Sequence, residues 1–222
     1  DANVAALQSG LHPAQRRLAL EELLAHQLSL RRQRLALQAE GTRALRGSEV
    51  LVSKLKKALP FKLTGAQARV YAQLREDVRQ PKPMLRLVQG DVGSGKTVVA
   101  AMAALLAIAD GRQAALMAPT ELLAEQHLTN LRAWLEPLGL RVCWLAGKVT
   151  GKARAKALDE VASGAAQLVV GTHALMQEGV AFHDLALTII DEQHRFGVHQ
   201  RLALREKGRG STPHQLVMTA TP

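Results

Sequence analysis

The fold is decided by one stretch of sequence, Gly90-Asp91-Val92-Gly93-Ser94-Gly95-Lys96-Thr97. Its spacing is that of a Walker A loop, whose glycines let backbone N–H groups turn toward phosphates. The motif requires a strand before it and a helix after it. Met84 to Gln89 is a short apolar run, and Val98 to Ala109 has a helical pattern. The sequence therefore predicts a phosphate-binding loop at this position, rather than a glycine-rich turn without a ligand.

The side chains of this loop predict the chemistry of its ligand. Lys96 would reach the outer phosphates of a nucleotide, and the Thr97 hydroxyl would hold Mg²⁺. The N-terminus of the helix that follows adds a positive end to the same site. The expected ligand is a nucleoside triphosphate, ATP. Its candidate phosphate ligands are Gly90, Gly93, Ser94, Gly95, Lys96 and Thr97.

Short apolar runs rich in β-formers alternate with helical patterns from residue 61 onward. The runs are Met84 to Gln89, Ala114 to Ala118, Arg141 to Leu145, Gln167 to Val170, Ala186 to Ile190 and Gln215 to Met218. Strands this apolar, separated by helices, predict a parallel sheet covered by helices on both faces. We therefore expect a doubly wound α/β domain, with a Gly-, Lys- and Arg-rich loop at Gly147 to Lys156.

A leucine-rich helical pattern precedes this region, starting at Pro13 and running to about Glu40. Proline suits the first turn of a helix because its missing N–H would be unpaired there. The leucines form a broad apolar arc, which predicts a helical strut between the following domain and a domain missing upstream. Pro60 marks the predicted boundary: residues 1–59 form the linker or strut, and residues 60–222 form the α/β domain.

The composition favours an anionic partner. The formal net charge is +10 with a pI near 10.4, and such a surplus points first to nucleic acid. The aromatic content of 3% argues against base stacking as the means of binding. The single cysteine, Cys143, can form neither a disulfide nor a Cys-rich metal site, which fits a reducing cytoplasm. The longest apolar stretch, Val98 to Ala109, is too short to span a bilayer.

Two adjacent acids follow the apolar run that ends at Ile190. Asp191 is predicted to bind Mg²⁺, and Glu192 to orient and deprotonate the water that attacks the γ-phosphate. An acidic pair at a strand end is by itself a common solvated turn, but a Walker A loop upstream favours the catalytic interpretation. His194 is a further catalytic candidate, with a hydrogen-bonded structural role as the alternative.

Six ordered motifs resemble the first RecA-like domain of superfamily 2 helicases and, within it, the RecG ATP-dependent DNA helicases. They are Leu59 to Gln67, the Walker A loop, Ala118 to His127, Val170 to Leu175, the DEAH-like box and its continuation from Asp191 to Arg201, and Thr219 to Pro222. The likeness covers Leu59 to Pro222, and the strut is similar as well. Transcription-repair coupling translocases look similar, but they usually carry Glu where this chain has Gln193.

The resemblance implies a RecA-like P-loop NTPase fold and an ATP-dependent DNA helicase that remodels branched DNA, such as replication forks and Holliday junctions, in recombination and repair. It implies that Gln67 contacts adenine and that Phe61 or the neighbouring backbone closes the base pocket. Thr64 and Gln67 also have the S/T-x-x-Q spacing of a capping box, which would start the next helix without any ligand. Both roles are compatible.

The resemblance also implies a set of DNA contacts with little sequence preference. The residues concerned are Pro119, Thr120, Gly171, Thr172 and His173. The carboxyl ends of parallel strands are where such sheets bind ligands, although the threonines equally suit helix caps. Thr219 and Thr221 would couple the nucleotide state to the grip on DNA.

Two clusters of basic residues are candidate DNA-facing patches, although each residue alone also suits a plain solvated charge. They comprise Lys148, Lys152, Arg154 and Lys156, and Arg195, Arg201, Arg205, Lys207 and Arg209. On the strut, Arg31, Arg32 and Arg34 suit either a solvated helix face or a phosphate contact.

The chain runs from Asp1 to Pro222 without an initiator methionine, and we expect it to be a fragment. The resemblance implies an upstream wedge domain, a second RecA-like domain that supplies an arginine finger, and a bacterial, nucleoid-associated setting in the cytoplasm. The fragment alone should be nearly inactive. Two alternatives from other classes are a non-catalytic nucleic-acid-binding module with a vestigial P-loop and a P-loop kinase or small-molecule NTPase.

Overall fold

A computed structural model of the chain describes residues 12–39, 41–192, 204, 207–208 and 210–220. The chain is divided into two compact units, Asp1–Glu40 and Gly41–Pro222. In the first unit, helix α1 spans Pro13–Ala39 and begins at the proline, as predicted. The His12 Nδ1 atom accepts a hydrogen bond from the Ala14 N–H at 3.2 Å, which satisfies one of the free donors at the helix start.

The second unit is built on one sheet of six parallel strands, in the order β1-β6-β5-β2-β4-β3. The strands are β1 (Leu85–Gln89), β2 (Gln113–Met117), β3 (Val142–Leu145), β4 (Leu168–Gly171), β5 (Leu185–Asp191) and β6 (His214–Thr219). Each predicted run overlaps one strand, and the ends agree to within one residue. The predicted parallel α/β sheet is confirmed.

Two helices of this unit precede β1, and one helix follows each of β1, β2 and β3 in the described residues. They are α2 (Val50–Ala58), α3 (Gly65–Val78), α4 (Lys96–Ala109), α5 (Glu121–Leu135) and α6 (Gly151–Ala162), with 3₁₀ turns at Glu136–Leu138 and His173–Met176. Successive side chains of β2 enter two different hydrophobic clusters: Ala114 and Leu116 join one, and Ala115 and Met117 join the other. Because side chains alternate across a strand, the centre of the sheet is covered on both faces.

Strand β1 departs from this pattern. The side chains of Leu85 and Leu87 are 55% and 57% exposed, whereas Val88 is buried. Strand β1 lies at the end of the strand order and pairs with β6. An apolar run therefore predicted the strand correctly, but not that one of its faces would be open.

The boundary between the two units differs from the predicted one at Pro60, because the second unit begins at Gly41. Leu45, Val52 and Leu55 are buried in the larger hydrophobic cluster of the sheet unit. The Leu45 N–H also donates to the carbonyl of Val78 at 2.8 Å. Pro60 follows the end of helix α2 without ending the domain, since the apolar face of that helix packs against the sheet unit.

His214 begins strand β6 and is completely buried. Its Nδ1 atom accepts a hydrogen bond from the Met84 N–H at 3.1 Å, and burial lowers its pKa to about 4. In the unfolded chain the imidazole would titrate near 6.5. The neutral ring therefore stabilises the fold fully above pH 6.5, and this contribution is lost as the pH falls from 6.5 toward 4.

We expect acid to reduce the free energy of unfolding through His214 by roughly 3 kcal/mol between pH 7 and pH 4. Urea unfolding at several pH values measures this loss. The control is His214→Asn, which keeps a hydrogen-bond acceptor near the position of Nδ1 but does not titrate. The variant should lose less stability in acid than the parent. Equal losses in the two proteins would contradict the assignment.

Candidate functional site

The glycine-rich loop lies between β1 and α4, as predicted. Gly93 and Gly95 have φ angles of +83° and +80°, in the left-handed region that glycine adopts at little cost. A Cβ atom at Gly95 would also lie 2.3 Å from the Nε2 atom of Gln67. Any side chain at this position would meet both backbone strain and a steric clash. The loop conformation therefore requires glycine here.

The Lys96 side chain folds back over this loop. Its ammonium donates to the carbonyl of Gly90 at 2.6 Å and to that of Asp91 at 3.0 Å. The positive charge is thereby held within the loop, at the start of helix α4. A helix N-terminus and an ammonium group together favour an anion in front of the loop.

Asp191 and Glu192 lie at the carboxyl end of β5, as predicted. Asp191 is the last strand residue and is 7% exposed. Glu192 has a φ angle of +51°, which a residue with a side chain adopts only at a cost of about 1–3 kcal/mol. The carboxylate of Glu192 accepts hydrogen bonds from Ala220 N at 3.1 Å and from Thr219 Oγ1 at 3.3 Å. The end of β6 therefore supports this strained residue.

His127 contacts both the glycine-rich loop and the end of β5, and no role was predicted for it from the sequence. The Nε2 atom lies 2.7 Å from Oδ2 of Asp191, and Nδ1 lies 3.4 Å from Oγ1 of Thr97. The residue is buried on helix α5, which follows β2, the neighbour of β5. The only sequence signal was its place in the motif from Ala118 to His127, which did not indicate this contact.

A cleft of about 680 Å³ joins the glycine-rich loop to Asp191 and Glu192. Its volume lies within the range of roughly 300–1,000 Å³ that is usual for small-molecule sites. Phe61 and Trp134 line one part of it, with their ring centroids 6.2 Å apart and the planes at 73°. Trp134, on α5, is a second lining residue that the sequence analysis missed.

Gln67 combines two structural contacts at the edge of this cleft. Its Oε1 atom accepts from Thr64 N at 2.9 Å, and its own N–H donates to Thr64 Oγ1 at 3.2 Å. This confirms the predicted capping box at the start of α3. The Nε2 atom also donates to the carbonyl of Ser94 at 2.9 Å. Gln67 thus connects α3 to the glycine-rich loop, and its contact with adenine stays a prediction.

Strands β2 and β4 are neighbours in the sheet, and the five predicted DNA-contact residues lie at their carboxyl ends: Pro119 and Thr120 follow β2, Gly171 is the last residue of β4, and Thr172 and His173 follow it. Thr120 accepts a hydrogen bond from Leu123 N at 3.3 Å, so the capping alternative holds for this threonine. Gly171 has a packing reason of its own, because a Cβ atom there would lie 1.9 Å from the carbonyl oxygen of Leu145. Thr172 is buried, and His173 is exposed.

The basic residues at 147–156 are not all in a loop, because helix α6 begins at Gly151 and carries Lys152, Arg154 and Lys156. Several basic groups have protein partners. Lys148 forms ion pairs with Glu121 and Glu125, and Arg154 donates to Gln177 at 2.6 Å.

Lys207 belongs to the second predicted basic cluster. Its ammonium donates to the carbonyls of Gln177 and Val180 at 2.6 and 2.7 Å, and burial lowers its pKa. These contacts give Lys148, Arg154 and Lys207 structural roles within the domain.

Several predicted residues lie outside the part of the chain that the structure describes. They are Gln193, His194, Arg195, Arg201, Arg205, Arg209, Thr221 and Pro222. Within the described ranges, no group of three or more His, Cys, Asp or Glu side chains is placed to hold a metal ion. The described helices include none that is both long and apolar enough to cross a membrane.

Comparisons with known proteins agree with this geometry. The family model described as DEAD/DEAH box helicase matches residues 64–222. The chain is 63% identical to the ATP-dependent DNA helicase RecG of Escherichia coli O157:H7 over 97% of its length, and 48% identical to that of Bacillus subtilis over 97%. It spans 32% and 31% of these relatives.

A solved structure of RecG bound to a three-way DNA junction is also similar. It has a TM-score of 0.84 and 38% identity over 96% of this chain, which corresponds to 30% of the RecG chain. The likeness confirms the RecA-like helicase fold with an N-terminal helix. The family model matches residues 64–222, and one cleft is lined by residues of the Walker A loop, of the motif from Ala118 to His127 and by the acidic pair; the chain belongs to the DEAD/DEAH box helicase family.

Proposed function

We propose that the chain is the ATP-binding motor domain of a DNA helicase or translocase that remodels branched DNA in recombination and repair. The observation that carries the proposal is the cleft that brings Lys96 and Thr97 together with Asp191 and Glu192. These four residues supply the charge, metal ligands and base that phosphoryl transfer requires. The high identity to proteins named ATP-dependent DNA helicase RecG supports the same reading.

The nucleotide would place its phosphates in the glycine-rich loop and its base toward Phe61, Gln67 and Trp134. The loop contributes Gly90, Gly93, Ser94, Gly95, Lys96 and Thr97. Phosphate oxygens would replace the carbonyls of Gly90 and Asp91 as partners of the Lys96 ammonium. This exchange favours binding because a phosphate oxygen carries negative charge and a backbone carbonyl is neutral, so the ammonium gains a charge–charge attraction in addition to the hydrogen bond.

Thr97 and Asp191 fit the requirements of Mg²⁺. A hydroxyl and a carboxylate, both held by His127, offer one oxygen each, and Mg²⁺ in nucleotide sites commonly uses one or two protein ligands besides phosphates and water. When bound, the ion would neutralise charge on the outer phosphates. The hard oxygen donors of this pair favour Mg²⁺ over softer metals.

Glu192 would accept the proton of the attacking water. Thr219 and Ala220, at the end of β6, donate hydrogen bonds to its carboxylate, so a movement of β6 would also move this base. His194 would be a further catalytic residue, and Thr221 would act with Thr219 in coupling the nucleotide state to DNA binding. DNA would bind through its backbone to the loops after β2 and β4. The proposed contacts are Pro119, Thr120, Gly171, Thr172 and His173.

The rest of the motor would come from the full-length protein. A second RecA-like domain would supply the arginine finger, whose absence typically costs ~10³ to 10⁵ in rate. Residues 1–59 would connect the motor to an upstream wedge domain. Within this linker, residues 41–59 are part of the compact unit that contains the sheet. The chain alone should therefore hydrolyse ATP barely. The proposed setting is the bacterial cytoplasm, at the nucleoid.

Strand displacement from a labelled replication-fork substrate tests this function in the full-length protein. We expect release of the labelled strand with ATP and Mg²⁺, and none with a non-hydrolysable analogue. A transcription-repair coupling type of translocase would instead move along duplex DNA without separating strands. A non-catalytic module with a vestigial P-loop would bind the fork without hydrolysing ATP. Either result would overturn the helicase proposal.

A further inference from the structure

His127 lies on the inner side of helix α5, about two helical turns after the Thr120 cap. It is 9% exposed and occupies the space between the glycine-rich loop and the end of β5. Its two ring nitrogens face two different elements, with Asp191 on one side and Thr97 on the other. These are the two residues to which the proposed function assigns Mg²⁺.

The position of the proton on the imidazole determines which group donates and which accepts in each of these two contacts. An ionised carboxylate only accepts hydrogen bonds, so the 2.7 Å contact with Asp191 requires a proton on Nε2. In the neutral ring Nδ1 is then an acceptor, and the Thr97 hydroxyl must donate to it across 3.4 Å. In this tautomer the hydroxyl proton of Thr97 points toward His127, which leaves the lone pairs of its oxygen for a cation.

We propose that His127 is the positioning residue of the Mg²⁺–nucleotide site, an inference that rests on the proposed ATP-binding function. It turns the Thr97 oxygen toward the metal position and fixes one oxygen of Asp191, so that the other stays available. It touches neither the nucleotide nor the metal. Partners of metal ligands that act in this way typically contribute about 10- to 100-fold to metal affinity.

A purely structural role would give a different result, and the experiment separates the two. The dissociation constant of a fluorescent, non-hydrolysable ATP analogue is measured on a protein that carries the two motor domains, once with Mg²⁺ and once with excess EDTA. Thermal unfolding without nucleotide checks that each variant is folded. In the parent, Mg²⁺ should tighten binding. In His127→Ala this tightening should fall by about 10-fold or more, while the affinity in EDTA stays unchanged.

Two conservative variants separate the two contacts. The amide nitrogen of His127→Gln can take the place of Nε2 and donate to Asp191, whereas the amide oxygen of His127→Asn can take the place of Nδ1 and accept from Thr97. Because the Asp191 contact is the shorter one, Gln should restore more of the Mg²⁺ effect than Asn. Thr129→Ala is the matched control, since Thr129 is exposed on the same helix and its hydroxyl donates to the Glu125 carbonyl at 2.9 Å.

The outcomes distinguish the inference from the function on which it rests. If His127→Ala keeps the Mg²⁺ effect, or weakens binding equally with Mg²⁺ and with EDTA, the positioning role is wrong and the nucleotide site stands. If the parent binds the analogue under neither condition, the proposed ATP site is wrong, and the role of His127 is wrong with it.

Discussion

Glu192→Gln should reduce ATP turnover by about 10² to 10⁴, the range that a positioned general base usually contributes. The amide has nearly the same shape as the carboxylate but cannot accept the proton of the attacking water. Nucleotide affinity should change little, because the phosphates would be held by the glycine-rich loop and not by Glu192. Phosphate release gives the rate, and a fluorescent nucleotide gives the affinity, both in a protein that carries the two motor domains.

The matched control for this change is Glu125→Gln. Glu125 is a partly exposed carboxylate that pairs with Lys148 on the surface of α5. The same carboxylate-to-amide exchange there should leave turnover within a few-fold of the parent, because exposed ion pairs contribute little. A Glu192→Gln protein that hydrolyses ATP as fast as this control would remove Glu192 from the proposed chemistry.

Lys96→Ala should weaken ATP binding by about 10³. An ammonium about 4 Å from a unit negative charge is worth about 4 kcal/mol at an effective dielectric constant of 20, and 1.4 kcal/mol corresponds to a tenfold change in affinity. The Lys96 charge is already held inside the loop by the carbonyls of Gly90 and Asp91, so little reorganisation is needed when phosphate arrives. The binding of a fluorescent ATP analogue measures the effect.

Lys82→Ala is the matched control for the loss of one lysine. Lys82 is exposed in the segment that leads into β1, so its removal changes the net charge of the domain by the same amount. The affinity for ATP should stay within about twofold, since exposed charges are screened by water and salt. Equal affinities for Lys96→Ala and Lys82→Ala would contradict the assignment of the loop as the phosphate site.

The sheet and half of the candidate site could be predicted from sequence because their signals are local. A buried parallel strand needs a nearly continuous apolar run, and all six apolar runs became strands, including β1 with its one open face. The glycine-rich loop is specified by its own residues, and Gly93 and Gly95 adopt the left-handed conformation that only glycine takes readily. Asp191 and Glu192 could be placed because the carboxyl ends of parallel strands share one edge.

The rest of the candidate site could not be predicted from sequence, because it depends on contacts between distant parts of the chain. His127 meets Asp191 only because α5 follows β2 and β2 pairs with β5, a strand order that the sequence does not state. The compact unit begins at Gly41 rather than at Pro60 because the burial of α2 depends on the helices that it packs against. Gly171 belongs to a motif with predicted DNA contacts. Its sequence did not reveal the packing reason for glycine, which is the close approach of the Leu145 carbonyl oxygen.

The most direct test of the central claim, that this chain is the ATP-driven half of a DNA motor, is the effect of branched DNA on ATP hydrolysis. The rate is measured in the full-length protein with and without a three-way junction, beside Lys96→Ala and Glu192→Gln. We predict that the junction raises the rate many-fold in the parent and that neither variant responds. A parent rate that is the same with and without DNA would contradict the account.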